Sequence, residues 1–359
     1  MTRIVGIDLG TTNCCVAVME GGKPKVIPNT QGYNTTPSVL AVTESGERVV
    51  GQIAVRQAVT NPEHTVYGAK RLIGREVQTE EVHHASSHSS YQVVEGPHGD
   101  VRIVLRGAEH SVPELSAMFL QEMRLVAEDF LGGEVDRAVV TVPAYFNDGQ
   151  RQAVRDAGRI AGLDVVRILN EPTAAALAYG FGSEEPRLLA VYDLGGGTFD
   201  ISVVRIDEFG DFHVVATTGD SYLGGEDFDE RVMDFLMGVF YEQHGLDLSD
   251  TPLAISRLRQ AAQKAKVELS GVPETQVSLP FLAQGEEGPL HLELTMTRPQ
   301  LEEITADLVA RTLEICEVGL QYASMEPRKI DEVLLVGGMT RMPAIQRAVS
   351  EYFGKDPSK

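Results

Sequence analysis

Cysteine and basic residues are scarce in this 359-residue sequence, and each scarcity excludes a class of protein. The cysteines are Cys14, Cys15 and Cys316. Because their number is odd and two are adjacent, they predict no disulfide framework and favour a reducing environment. The 31 Lys and Arg residues face 52 Asp and Glu residues, which gives a net charge of −21. Such a field repels nucleic acids and anionic lipid headgroups, so neither is expected as a ligand.

Long apolar runs and a signal peptide are also missing. The first ten residues, MTRIVGIDLG, lack the basic flank and long apolar core of a secretory signal. No uninterrupted apolar run approaches the length of a membrane span. A soluble, cytoplasmic protein that does not bind membranes is therefore expected.

Two common phosphate-binding motifs do not occur. The Walker pattern G-x-x-x-x-G-K-[ST] fails because Gly22-Lys23 and Gly354-Lys355 are followed by Pro and Asp. The triple glycine at 195–197 does not complete G-x-G-x-x-G, since Asp200 takes the last position and a strand is predicted after it. Walker-type and Rossmann sites are both excluded.

An approximate internal repeat is what the sequence does contain. Residues 4–16, IVGIDLGTTNCCV, and residues 189–203, LAVYDLGGGTFDISV, each combine an apolar strand, Asp-Leu-Gly, a turn of small residues and a second apolar strand. Asp8 and Asp193 are the equivalent acids. These two segments predict a pair of matching β-hairpins.

A second pair of segments follows in the same order and at a similar offset. VDRAVVTVPA at 135–144 is echoed by IDEVLLVGGM at 330–339, and a helical stretch follows each. Two such pairs predict a duplicated lobe with its boundary near the GSEEP run at 182–186. A ligand shared by equivalent turns is then expected in the cleft between the lobes.

Strands that alternate with helices predict α/β lobes with mixed or parallel sheets. We expect a helix capped by Ser111 with Pro113 in its first turn and Gly132 at its end, strands at 137–142 and 164–169, and helices at about 148–161, 252–269 and 299–322. Residues 83–110 contain His83, His84, His88, His98 and His110 and are predicted to be a solvated loop, with a metal site at His84 and His88 as the alternative.

The two hairpin turns suit phosphate oxygens. Gly10, Thr11 and Thr12 place backbone N–H groups and two hydroxyls at a tip that small residues leave accessible. The second turn runs from Gly195 to Thr198, with Asp193 before it and Asp200 after it. A carboxylate beside a triphosphate requires a cation, so the pattern predicts Mg²⁺ with its waters. A plain β-turn is the alternative for either hairpin alone.

A third glycine-rich element follows the apolar strand 333–336. It reads Gly337-Gly338-Met339-Thr340-Arg341, and a helix with Pro343 in its first turn is predicted after it. Such a strand-to-helix turn lets a base or ribose lie against bare backbone. The alternative is an ordinary βα turn.

Six segments together resemble a known family. IDLGTTN, VPAYFND, NEPTAAALAYG, DLGGGTFD, LGGEDFD and VGGMTRMP, in this order and at these spacings, closely resemble the ATPase domain of the bacterial DnaK-type, seventy-kilodalton heat-shock chaperones. The resemblance covers essentially the whole sequence. It implies a duplicated two-lobe actin-like ATPase fold, with a ribonuclease H-like motif in each lobe and four subdomains around a central nucleotide cleft.

The resemblance also implies the domain boundaries. Lobe I would be 1–183, with an inner subdomain of 1–38 and 116–183 and an outer subdomain of 39–115. Lobe II would be 184–359, with an inner subdomain of 184–226 and 305–359 and an outer subdomain of 227–304. The end of the ATPase domain, the interdomain linker and the peptide-binding domain are expected to be absent from this sequence.

The resemblance assigns catalytic roles. Asp8 and Asp193 hold hydrated Mg²⁺, and the phosphates lie among Gly10, Thr11, Thr12, Asn13, Gly195, Gly196, Gly197 and Thr198. Lys70, in YGAKRLIG, orients the attacking water and offsets charge on the γ-phosphoryl group. Glu171 positions water or metal, and Asp200 is a further acid near the water. From the residues alone, Lys70 is a surface lysine and Glu171 an acid at a helix start.

The resemblance also assigns adenosine and coupling residues. Lys266, Ser270, Gly337, Gly338, Met339 and Arg341 match the adenosine site, and Gln263 stands where the family usually has Glu for the ribose, so weaker ribose binding is expected. Gly224, Gly225 and Glu226 match a loop that bridges the lobes. Pro143 and Arg151 match a relay to the peptide-binding domain. From the residues alone they are a strand-end proline and a helix-surface arginine.

By resemblance, the protein is a slow, partner-stimulated ATPase. It would couple the ATP or ADP state to client binding in a longer chaperone that assists protein folding and the stress response. Mg²⁺, with K⁺ as a further ion, a J-domain co-chaperone and a GrpE-type nucleotide exchange factor are implied, clients would bind through the missing domain, and a monomer is expected. The alternatives are a small-molecule kinase and an actin-like filament protein of the same fold.

Overall fold

The computed structural model describes residues 3–87, 89–180, 185–286 and 288–358. The chain divides into two compact units, Met1–Ala174 and Ala175–Lys359, which we call the first and second unit. Each unit has its own central sheet and its own apolar core. Within the described ranges, no helix combines the length and apolar character needed to cross a membrane. The predicted division into four subdomains stays a prediction.

The first unit contains most of the short strands. Its strands are β1 (Ile4–Leu9), β2 (Asn13–Glu20), β3 (Lys23–Ile27), β4 (Thr36–Pro37), β5 (Leu40–Val42), β6 (Arg48–Val50), β7 (Thr65–Val66), β8 (Gln92–Glu95), β9 (Val101–Leu105), β10 (Ala108–Ser111), β11 (Arg137–Val142) and β12 (Asp164–Asn170). Its helices are α1 (Gln52–Gln57), α2 (Glu80–Ser87), α3 (Val112–Leu131) and α4 (Asp148–Ile160). Helix α5 (Glu171–Gly180) contains the division between the units.

The central sheet of the first unit has the order β12-β11-β1-β2-β3. Strands β1, β2 and β3 are antiparallel neighbours, whereas β11 runs parallel to both β1 and β12. In this register Asp8 lies opposite Cys15 of β2 and Thr141 of β11. The first hairpin therefore projects from the middle of the sheet.

Helix α3 packs on this sheet, and its ends agree with the sequence prediction. The Ser111 hydroxyl accepts from Glu114 N, the Glu114 carboxylate accepts from Ser111 N, and Gly132 ends the helix in the left-handed region at φ 65°. Leu115 and Phe119 are buried, which stabilises the packing by roughly 1.5–3 kcal/mol for each side chain. The capped helix holds the sheet that carries the first hairpin.

Residues 83–110 do not form the predicted solvated loop. His83 lies in α2, and β8, β9 and β10 form an antiparallel sheet in which Val101, Ile103 and Leu105 are buried. The prediction was wrong because it was based on the number of histidines, whereas the alternating apolar residues of VRIVL indicate a strand. His88 and the side chain of His84 lie outside the described part of the structure.

The second unit begins with three long strands. Its strands are β13 (Arg187–Leu194), β14 (Phe199–Ile206), β15 (Phe212–Asp220), β16 (Glu274–Gly285), β17 (Gly288–Thr297) and β18 (Glu332–Val336). Its helices are α6 (Gly225–His244), α7 (Pro252–Gly271), α8 (Arg298–Ile304), α9 (Ala306–Tyr322) and α10 (Pro343–Phe353). Residues 182–184 of the predicted boundary run lie outside the described ranges.

The sheet of the second unit repeats the topology of the first. Its order is β15-β14-β13-β18, with β13, β14 and β15 antiparallel and β18 parallel to β13. This matches β3-β2-β1-β11 strand for strand. Asp193 lies opposite Asp200 and Val336, as Asp8 lies opposite Cys15 and Thr141. The repeat predicted from the sequence is confirmed as a repeat of sheet topology.

The helix predicted over 299–322 is two helices. Helices α8 and α9 are separated at Thr305, whose backbone has φ −117° and ψ 8°. This buried residue donates from its hydroxyl to Leu301 O at 2.7 Å. The side-chain hydrogen bond competes with the regular backbone pattern and accompanies the break.

Candidate functional site

The first hairpin has a tip that its neighbours hold in place. The Ser38 hydroxyl donates to Gly10 O at 2.7 Å, and Ser38 N donates to Thr12 O at 2.8 Å. A Cβ atom at Gly10 would collide with Asn13 O. The Thr12 Oγ1 atom is buried, and among the described residues it finds no hydrogen-bond partner. A hydroxyl of this kind is suited to a ligand oxygen, which fits the predicted phosphate site.

The Asp8 carboxylate is oriented by a neighbouring strand. Thr141 of β11 donates from its hydroxyl to Asp8 Oδ1 at 2.7 Å. Sequence reasoning missed Thr141, although the repeat places the strand 137–142 beside the hairpin. The hydroxyl fixes one oxygen of an exposed carboxylate. The Thr141 hydrogen bond thereby holds the Asp8 carboxylate in one orientation.

Lys70 forms a buried ion pair with Glu171. The lysine follows Gly68, a left-handed residue at φ 66°, in a 3₁₀ turn, and Glu171 is the first residue of α5. The Lys70 Nζ atom lies 2.6 Å from Glu171 Oε1, and only 9% of the lysine is exposed. The interpretation of Lys70 as a surface lysine is therefore wrong.

Burial raises the pKa of Glu171, the Asp8 charge adds to the rise, and Lys70 opposes it. The Asp8 and Lys70 charges also act on the buried thiol of Cys14 beside the hairpin. The ion pair therefore lies within electrostatic reach of the first hairpin. This part of the first unit combines an acid at the turn with a desolvated cation.

Arg151 joins three segments of the first unit. Its guanidinium donates to Phe146 O at 2.8 Å, to Ala144 O at 3.1 Å and to Asn170 Oδ1 at 2.9 Å. Pro143 is buried at the start of the same loop. Because Asn170 precedes Glu171, the clamp connects the Pro143 loop to the residue before the ion pair. The interpretation of Arg151 as an ordinary helix-surface arginine is wrong.

The second hairpin is locked to the start of α6. Gly225 N donates to Gly195 O at 3.0 Å, and Glu226 N donates to Gly196 O at 2.7 Å. A Cβ atom at Gly224 would lie 2.6 Å from the Gly197 backbone. Only glycine allows this approach. Two helix N–H groups therefore fix the turn that precedes Thr198.

Two carboxylates face each other beneath the second hairpin. Asp193 and Asp200 are directly opposite on antiparallel strands, so their side chains point to the same face of the sheet. Asp200 is buried. Adjacent carboxylates repel each other unless a cation compensates them, which fits a bound divalent ion. In the described part of the chain, no cluster of three or more His, Cys, Asp or Glu side chains could hold a metal.

The predicted adenosine residues divide into exposed and buried members. Gln263, Gly338 and Arg341 are exposed, and a Cβ atom at Gly338 would meet open space. Such a surface suits a flat base. Met339 is buried against Gly225, where an added Cβ atom would lie 3.1 Å from Met339 Sδ. Ser270 is half-buried and donates from its hydroxyl to Lys266 O at 3.3 Å.

Lys266 is a buried cation of the second unit. Its Nζ atom donates to Gly225 O at 2.7 Å and lies 2.8 Å from Asp229 Oδ1. Sequence reasoning did not single out Asp229, although it ends the segment LGGEDFD from which Gly224, Gly225 and Glu226 were taken. The structure thus brings the loop, helix α7 and Met339 together within one unit.

A comparison with protein-family models finds one that matches almost the whole chain. The family is described as Hsp70 protein, and the match spans residues 4–359. All the candidate site residues, from Asp8 to Arg341, lie within the matched range.

Proposed function

The chain belongs to the Hsp70 family, and from this membership and the site geometry we propose that it hydrolyses ATP slowly as a conformational switch. It is a chaperone nucleotide-binding domain with the duplicated actin-like ATPase fold, and members of its family are ATPases. We further propose that the nucleotide state of this domain controls client binding in a longer chaperone. The buried Lys70–Glu171 pair is the observation that carries the hydrolytic part.

Lys70 is proposed to act on the attacking water and on the γ-phosphoryl charge. A cation that is already desolvated interacts more strongly with developing negative charge than one in bulk water. Glu171 supports this arrangement because its carboxylate holds the ammonium at 2.6 Å. Thr198 and Asp200 are proposed to contact the phosphate and the water from the second hairpin.

Asp8 and Asp193 are the proposed magnesium-site residues, mainly through water. When bound, Mg²⁺ would neutralise phosphate charge that these carboxylates otherwise repel. The Thr141 hydrogen bond supports the role of Asp8, and the facing Asp200 supports that of Asp193. The glycine turns 10–13 and 195–198 are proposed to bind the phosphates with backbone N–H groups.

Adenosine is proposed to bind at the second unit. The exposed Gly338 backbone offers a surface for the base, and Arg341 and Gln263 are exposed polar side chains of the same unit. Lys266 and Ser270 complete this set on α7. Because Gln263 is neutral, its hydrogen bonds to ribose hydroxyls are expected to be weaker than those of a carboxylate.

Pro143 and Arg151 are proposed to relay the nucleotide state. The Arg151 clamp supports this role because it links the loop after β11 to Asn170, next to Glu171. Co-chaperones and nucleotide exchange factors accompany the Hsp70 family in general. We propose a J-domain co-chaperone and a GrpE-type factor as the partners, with the protein acting as a cytoplasmic monomer.

Substitution of Lys70 tests the hydrolytic role directly. We expect Lys70→Ala to retain Mg-ATP binding and to lower single-turnover hydrolysis by at least about 100-fold, because the cation beside the reacting phosphoryl group is lost. Lys25→Ala is the matched control, since Lys25 is exposed and pairs with Glu20 on the surface of the same unit.

Melting temperatures of both variants establish that they are folded. Hydrolysis at the wild-type rate in folded Lys70→Ala would remove Lys70 from the mechanism. Failure of the wild-type protein to bind ATP would refute the proposed function as a whole.

A further inference from the structure

We propose that Asp229 is a positioning residue for nucleotide binding, because it holds the Lys266 ammonium where α7 meets the start of α6 behind the triple-glycine hairpin. The inference rests on the proposed function and deepens it. It assigns a role to a carboxylate that contacts the ligand only through Lys266.

The contact between the two side chains is close and buried. Lys266 Nζ lies 2.8 Å from Asp229 Oδ1, and the two residues are only 6% and 7% exposed. Asp229 lies one turn into α6, and Lys266 lies in the second half of α7. The carboxylate therefore fixes a long, flexible side chain that would otherwise lose its position.

The held ammonium reaches the backbone that supports the hairpin. Lys266 donates to Gly225 O at 2.7 Å, and Gly225 N donates to Gly195 O at 3.0 Å. A Cβ atom at Gly225 would lie 2.9 Å from Lys266 Nζ and 3.1 Å from Met339 Sδ. The proposed phosphate turn and adenosine turn thus meet at the residue that Lys266 contacts.

The Lys266 ammonium donates a hydrogen bond to Gly225 O, and its charge is paired with the buried Asp229 carboxylate at 2.8 Å. If Asp229 is removed, the ammonium loses its charge partner and its fixed direction together. Nucleotide affinity is therefore expected to fall even where the fold is preserved.

The charges around Asp229 make the arrangement sensitive to pH. Burial raises the pKa of Asp229 to about 6, Lys266 opposes the rise, Glu226 of α6 adds to it, and Arg259 of α7 opposes it. The carboxylate is therefore ionised at pH 7.5 and largely protonated at pH 5.5. Protonation removes the charge that holds Lys266, so acid weakens nucleotide binding.

Stability alone does not distinguish this role from a structural one. A buried ion pair that loses one partner destabilises a fold wherever it lies. Because the Asp229 pKa is raised, ionised Asp229 also opposes folding, so stability from this group rises as pH falls from about 6 towards 4. Nucleotide affinity is expected to change in the opposite direction, and this opposition is the distinguishing readout.

The test uses calorimetric titration of the whole chain with Mg-ADP. At pH 7.5, Asp229→Asn is expected to bind ADP about tenfold more weakly than wild type, as loss of a charge-assisted contact predicts. Wild-type affinity is expected to fall about threefold more than that of the variant between pH 7.5 and pH 5.5. Titration of the ligand itself affects both proteins equally.

Asp307→Asn is the matched control. It makes the same chemical change in an exposed carboxylate that pairs with Arg231 of α6 at 2.6 Å. Affinity and pH profile are expected to equal those of wild type. If Asp229→Asn does not fold, Asp229→Glu is used in its place, because glutamate keeps a titratable carboxylate on a side chain one methylene longer. This variant is expected to bind ADP more weakly than wild type and to keep the pH dependence.

The possible outcomes distinguish failure of the proposed function from failure of the role proposed for Asp229. Wild-type protein that does not bind ADP refutes the proposed function and this inference with it. Wild-type binding with unchanged affinity and pH profile in Asp229→Asn refutes the inference alone. A lower melting temperature with unchanged affinity also refutes it and assigns the ion pair a structural role.

Discussion

The two Asp-Leu-Gly hairpins share a backbone register but not their surroundings. Asp8 faces the thiol-bearing residue Cys15 across its hairpin, whereas Asp193 faces a second acid, Asp200. At the equivalent position of the parallel neighbour, Asp8 meets Thr141 and accepts its hydrogen bond. The first hairpin therefore has one negative charge with a donor beside it, and the second has two acids.

The cations of the two units also differ in what they contact. Lys70 pairs with Glu171 near the first hairpin, whereas Lys266 pairs with Asp229 behind the second and reaches its backbone through Gly225. Asp8 and Asp193 occupy equivalent positions of the repeated sheets, whereas Lys70 and Lys266 lie outside those strands, in a 3₁₀ turn and in α7. Two hairpins with the same strand pairing can therefore have different functional roles.

The largest expected difference between the hairpins is steric. A Cβ atom at Gly10 would collide with Asn13 O, whereas at the equivalent Gly195 the nearest atom, Thr198 O, is 3.7 Å away. We expect Gly10→Ala to lower the free energy of unfolding by about 3 kcal/mol and Gly195→Ala by less than about 1 kcal/mol. Urea unfolding of both variants measures this. Equal midpoints would show that the two turns do not differ in packing.

The next difference concerns the residue opposite Asp8. Burial and the Asp8 charge raise the pKa of Cys15 to about 11 from an ordinary value of 9.0. At pH 8 its thiolate fraction is therefore about 100-fold lower, and alkylation by iodoacetamide is expected to be slower by about that factor than for an exposed thiol.

The measurement uses a variant in which Cys14 and Cys316 are replaced by Ser, so that Cys15 alone reacts. The rate is expected to rise about tenfold for each pH increase of one, because the thiol stays below its pKa throughout. Alkylation at the rate of an exposed cysteine would mean that the first hairpin lacks the electrostatic environment described here.

The smallest expected effect concerns the Thr141 hydroxyl beside Asp8, at the position that Val336 occupies beside Asp193. Thr141→Val removes the donor without changing the side-chain shape much, and a lost hydrogen bond of about 1 kcal/mol predicts a roughly fivefold higher Mg²⁺ concentration for half-maximal hydrolysis. Thr141→Ser keeps the hydroxyl and serves as the control. If both variants require the same magnesium concentration as wild type, Asp8 does not depend on this contact.

Local signals predicted much of the secondary structure. Strand β11 begins and ends at the predicted residues 137 and 142, and α3 has the predicted cap at Ser111. Apolar alternation, a capping hydroxyl and a terminal glycine all act over a few positions, so they can be recognised without tertiary contacts. The break at Thr305 could not, because the residue looks like any helix threonine until its burial is known.

The sequence predicted which residues form the candidate site, but it did not predict which of them contact one another. The glycine turns and Asp8 and Asp193 stand out as repeated motifs, and the resemblance supplied Lys70 and Glu171. The hydrogen bond from Thr141 to Asp8 joins residues 133 positions apart, and the Lys70–Glu171 pair spans 101 positions. Pairings of this kind depend on sheet order, which motif spacing alone does not determine.

Gly337 and Gly338 of the third turn differ in whether they can be replaced by a residue with a side chain. Gly337 has φ 87°, and any Cβ atom there would collide with Leu194 O, whereas Gly338 faces open space. A codon-randomised library would therefore retain glycine alone at 337 and accept small side chains at 338. Only the second codon can be used to reshape the surface proposed for the base, for instance to discriminate between natural and chemically modified purines.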